Sequence, residues 1–161
     1  SMKLILLILI LISPLCNAGD ESIGNGFYGS YVQDDPFDTT KKRYTRVSKN
    51  GFYFNCKEIS FRDGDGYYDE FSFSADIALK IDSNEPFRRL GTYSTGMFGQ
   101  KWVTDSRFFS VPLFESRKLI QELKSGNTLI ASGKWGTSGG WSDPKKLSLI
   151  GFTDAFNKLC N

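Results

Sequence analysis

The run "DEFSFSADIALKID" (69–82) constrains this chain more than any other stretch. Phe71, Phe73, Ala75, Ile77, Leu79 and Ile81 recur at every second position, with Ser72, Ser74, Asp76 and Lys80 between them. Side chains alternate sides along an extended backbone, so this period makes a strand with one buried and one wet face. Such one-sided strands belong to antiparallel sheets.

The flanking segments agree with that class. In "KKRYTRVSKNGFYFNCKEISF" (41–61), Asn50-Gly51 interrupts two runs rich in β-branched and aromatic residues. Asn-Gly supplies the positive φ of a tight hairpin turn. "FRRLGTYSTGMFGQKWVTDSRFFSVPL" (87–113) gives short strands broken by Gly91, Gly96 and Gly99. "FESRKLIQELKSG" (114–126) changes period: Leu119, Ile120 and Leu123 sit at helical spacing, and Gly126 stands where a helix C-cap belongs. "NTLIASGKW" and "KKLSLIGF" read as strands around a Gly-rich loop, and Thr153 as the N-cap of a last short helix. Residues 19–40 are Gly-rich with no sustained period and read as an irregular N-terminal segment. The expected fold is mainly β, an antiparallel β-sandwich or partly closed barrel with one or two short helices. It forms a single domain over 41–161.

Residues 1–18 read as a secretory signal. One Lys precedes the apolar run Leu4–Ile12, followed by Pro14 and a small-residue end suited to cleavage after Ala18. Ser1, ahead of Met2, reads as vector-derived. The run is shorter than the ~20 residues that span a bilayer, so no stable membrane span is expected after cleavage. Cys16 leaves with the leader, and the remaining Cys56 and Cys160 most simply form one disulfide in an exported protein. In the chain-entropy model a loop of about 100 residues is worth up to roughly 4.7 kcal/mol. Periplasmic or secreted localisation follows as the expectation.

Histidine is absent from the chain. No Ser-His-Asp or Cys-His nucleophile can be built, nor a zinc site of the usual His-containing kind. The 20 Lys+Arg nearly balance 18 Asp+Glu, and Lys3 leaves with the leader, so there is no broad basic field for nucleic acid. No cofactor is expected.

Three segments are candidate sites. "RDGDGYYDE" (62–70) offers Asp63, Asp65 and Asp69 as weak metal candidates. With Gly66 at position six of a calcium loop, Asp63 and Asp65 fall at three and five. Positions one and twelve are then Phe61 and Ser72, which supply no ligand. Asp-Gly-Asp-Gly is turn chemistry, so residues 63–66 read as a hairpin turn without a metal. "GKWGTSGGWSD" (133–143) carries Trp135 and Trp141 among four glycines, and "YSTGMFGQKW" (93–102) carries Tyr93, Phe98 and Trp102. Aromatics on Gly-spaced loops suit anchoring a protein partner or stacking on a sugar ring, or else fold back onto the core. The acids Asp63, Asp65, Asp69, Glu70 and Glu115 are candidates for carboxylate hydrolysis, with nothing to show that any two face each other. Arg88-Arg89 reads as a strand-edge solubility device.

The order "ALKID", "LIQELKSGNTLIAS", "KLSLIGFTDAFNKLC" resembles the invasion-associated locus B family of exported proteobacterial proteins. More distantly it is similar to the periplasmic VasI/TagO-like proteins. The resemblance spans roughly residues 75–160 and implies a secreted β-sandwich with no enzymatic residues to carry over. Gly126, Leu149, Gly151, Phe152 and Ala155 match as fold determinants. The function expected is therefore a non-enzymatic exported domain that binds a protein partner at the cell envelope, as an inhibitor, immunity-type or virulence-associated protein. The alternatives are a carbohydrate- or peptidoglycan-binding module and, behind it, a carboxylate-based hydrolase.

Overall fold

Two Asn-Gly turns set the first half of the molecule. A computed structural model describes residues 18–65, 71–95, 106–113, 116–136 and 139–161. Strands β1 (Ala18–Gly24) and β2 (Phe27–Gln33) are joined at Asn25-Gly26. Strands β3 (Lys42–Lys49) and β4 (Phe52–Phe54) are joined at Asn50-Gly51. Both residues of each turn have positive φ: 54° and 79° in the first, 49° and 78° in the second. This is the backbone that a two-residue hairpin needs. The second turn is the expected one. The first corrects the irregular reading of 19–40, since most of that segment is paired sheet.

The remaining strands are β5 (Glu58–Asp65), β6 (Ser72–Ile81), β7 (Phe87–Ser94), β8 (Ser106–Pro112), β9 (Thr128–Trp135) and β10 (Lys145–Ser148). Together they form one antiparallel sheet in the order β1-β2-β3-β4-β5-β8-β7-β6-β9-β10. This is the mainly-β antiparallel class the sequence implies, with two short helices, and the sheet is not closed into a barrel. The order overturns one local expectation. β5 pairs with β8, and β6 lies beyond β7, so the acidic segment after Arg62 does not turn a β5–β6 hairpin. Asp63, Gly64 and Asp65 instead continue β5, with a bulge between Arg62 and Gly64. Gly66 and Asp69 lie outside the described residues.

β6 does what its pattern dictates. Ala75, Ile77, Leu79 and Ile81 are buried beside Phe52, Phe54, Phe61, Phe109 and Leu113. Each Ile, Leu or Phe among them contributes about 1.5–3 kcal/mol when fully removed from water. Helix α1 (Arg117–Ser125) adds Leu119 and Leu123, and its N-cap Ser116 accepts the Leu119 N–H at 3.2 Å. Gly126 ends α1 at φ −85°, so it is not a left-handed cap. A Cβ there would stand 2.3 Å from Ile81 Cγ2, and close approach is what requires glycine. Helix α2 (Phe152–Cys160) starts after Gly151 (φ 83°), so Thr153 is not its N-cap. The Thr153 hydroxyl donates to the Lys124 carbonyl at 2.8 Å and ties the two helices.

Cys56 and Cys160 form a disulfide with Cα atoms 5.5 Å apart, fastening the end of α2 to the β4–β5 link. Among the described residues, no helix is long and apolar enough to cross a membrane.

Candidate functional site

The alternation of β6 does not stop where the core stops. Phe73 lies on the side of Ile77 and Leu79, yet it is 49% exposed. Its register partner on β7 is Tyr93, and Trp135 ends β9 opposite Ala75 on the same side. Three strands therefore bring three rings to one end of the sheet. Trp135 lies nearly parallel to Phe73 (centroids 5.5 Å, planes 13°) and to Tyr93 (5.4 Å, 9°). Phe71 is 5.3 Å from both Phe73 and Tyr93.

This cluster is the outer end of the core. Tyr93 is only 2% exposed and packs 4.6 Å from Phe109, which stacks on Phe61, which stacks on Phe52. Rings pass without a break from the buried interior to Trp135, itself 47% exposed. Gly133 makes the junction. A Cβ at this position would lie 2.3 Å from Phe109 Cδ1, so any other residue would push the ring off β9. The Tyr93 hydroxyl donates to Asp63 at 3.3 Å, which sets a carboxylate beside the stack. A cavity of about 320 Å³ opens here, lined by Asp63, Phe109, Gly133, Trp135, Trp141 with its neighbours Gly140, Ser142 and Asp143, and Lys145.

The sequence candidates are thus sorted. Trp135 belongs to a strand and not to a loop, and Tyr93 is the buried floor beneath it. Trp141 borders the same cavity but is held by a different neighbour. Its ring meets the Arg88 guanidinium at 5.5 Å, and Arg88 pairs with Ala78 on the opposite side of the sheet. Arg88 and Arg89 lie in β7, an interior strand between β6 and β8, so they guard no edge. Asp65 accepts from Arg62 at 2.6 Å, away from the stack. Phe98, Trp102, Asp69, Glu70 and Glu115 lie outside the described residues. Among the described residues, no three His, Cys, Asp or Glu side chains group as a metal site would require. The exposed Phe73 and the half-buried Phe71 were missed as members of this cluster, because the alternating pattern assigns the whole stripe to the core. The signal available was their position at the end of the run, next to the acidic segment.

Set against family models, curated proteins and solved structures, the chain matches none of them.

Proposed function

We propose that this chain is an exported, non-enzymatic binding domain that engages a protein partner through the Trp135 end of its sheet. One observation carries the reading: the half-exposed Trp135 and Phe73 are the last members of a ring stack rooted in the core. Hot spots in protein interfaces are aromatic groups held rigidly at the centre of a contact. Rings fixed by strand pairing lose little freedom on binding, which favours affinity. Asp63, Asp143 and Lys145 at the cavity supply polar contacts at its rim. The disulfide, the leader-like start and the resemblance to exported proteobacterial proteins support an envelope setting.

A protein partner is favoured over a glycan by the placement of the two tryptophans. A sugar platform built from Trp135 and Trp141 would need both ring faces free, whereas Trp135 lies nearly parallel to Phe73 and Tyr93 and Trp141 is covered by the Arg88 guanidinium. The test is capture from envelope extract with the domain immobilised. A discrete protein should be retained by wild type and by Trp141→Ala, and lost with Trp135→Ala or Phe73→Ser in samples that keep a folded circular-dichroism spectrum. Retention by Trp135→Ala, or elution of the captured material only by soluble glycan, would overturn the reading.

A further inference from the structure

The side of the sheet opposite the Trp135 stack has its own composition. Along β7, β6 and β9 its outward positions include Leu90, Arg88, Ala78, Lys80, Ile130 and Ser132, with Lys146 on β10. Leu90 is 70% exposed, and Ile130 and Trp141 are exposed as well. The three apolar groups do not form one knob. Leu90 and Ile130 stand two residues either side of the Arg88–Ala78–Ser132 row along the strands, about 7 Å away on each side. The Trp141 segment is bound to that row, Ser132 donating to the Ser142 carbonyl at 2.6 Å. Cations alternate with these groups. Lys80 pairs in register with Ile130, which pairs with Lys146, and Arg88 lies against Trp141. The one acid of these rows, Asp76, is the register partner of Lys134, so those two charges offset each other. Lys80, Arg88 and Lys146 form no ion pair among the described residues.

We infer that this second face docks on the anionic surface of a phospholipid bilayer, through Lys80, Arg88 and Lys146 around Trp141, Leu90 and Ile130. Charge complementarity selects an anionic partner. The dispersal of the apolar groups between cations selects a fluid one, whose headgroups and acyl chains rearrange around each side chain. Indole rings settle at headgroup depth, aliphatic side chains reach the acyl boundary, and cations meet the acidic lipids. The inference does not depend on the Trp135 stack, since Trp135 and Phe73 occupy the opposite register positions from Lys80, Arg88 and Ile130, although Trp141 borders both surfaces.

Flotation with vesicles tests it, using phosphatidylcholine alone against phosphatidylcholine mixed equally with phosphatidylglycerol. The intact domain should float only with the phosphatidylglycerol vesicles, and less as salt screens the charges. Lys80→Gln and Lys146→Gln should each lower the partition about fivefold, with the fold intact by circular dichroism. In a Trp102→Phe background, brominated lipid should quench tryptophan emission in Trp135→Phe but not in Trp141→Phe. Equal flotation on both lipids, indifference to the lysine variants, or quenching that survives Trp141→Phe would overturn the inference. So would binding to soluble poly-glutamate as tight as to vesicles with no bromolipid quenching, which would indicate an acidic protein instead.

Discussion

Trp135 and Trp141 are six positions apart in the chain and about equally exposed, at 47% and 44%, yet different neighbours hold them. Trp135 is the end of a strand and touches other rings; through Tyr93 and Phe109 it is continuous with the core. Trp141 borders the same cavity but follows a Gly-rich segment and lies against the surface residue Arg88. Exposure alone would rank them together. What separates them is which neighbours would have to move if the ring were removed.

The largest test of that contrast is at Gly133. Gly133→Ala drives a methyl into the Phe109 ring and should cost about 3 kcal/mol, read as a shift in the urea midpoint. If the variant is as stable as wild type, the ring stack does not bear on β9 as described. Trp135→Ala should cost less, about 1–2 kcal/mol, because half of the ring is already in water and only its stacking contacts are lost. Trp141→Ala should stay within about 0.5 kcal/mol, as surface changes do. Equal losses for the two tryptophans would erase the distinction.

The strip β1–β3 offers a control remote from both tryptophans. The Tyr44 hydroxyl donates to Glu21, and this bond, helped by partial burial, raises the phenol to about 12. The same bond, with Lys42, holds the Glu21 carboxyl below its usual range. The sign for Tyr44 is that the neutral phenol is favoured by folding. Its contribution is full below pH about 10 and is lost as pH climbs through about 12. Glu21 works in reverse: its contribution is present above the ordinary carboxylate range and is lost in acid as it protonates. Tyr44→Phe should remove the latest step of the phenolate absorbance titration and leave tryptophan emission unchanged.

How much of this was written plainly in the sequence depends on the kind of contact. The β6 alternation and the Asn50-Gly51 turn are local signals, and both appear where expected. Asn25-Gly26 carries the same turn signal and is flanked by two strands, but the glycines and acids around it hide their period. Gly126 and Gly133 show the limit more sharply. Each is glycine because a distant side chain, Ile81 or the Phe109 ring, occupies the place of its Cβ. No window of neighbouring residues contains that information. The β5–β8 pairing is equally nonlocal, which is why the acidic segment looked like a hairpin turn. The aromatic cluster was half legible: its residue types were found, but the sorting of Trp135 from Trp141 needed the sheet order.

Double-mutant cycles test the central claim, that Trp135 is wired into the core stack and Trp141 is not. Trp135→Ala combined with Phe73→Ala should show a coupling of about 0.5–1.5 kcal/mol, the range of a stacked aromatic pair. Trp135→Ala combined with Trp141→Ala should be additive within about 0.5 kcal/mol. A coupling between the two tryptophans as large as that between Trp135 and Phe73 would place them in one cluster and contradict the account.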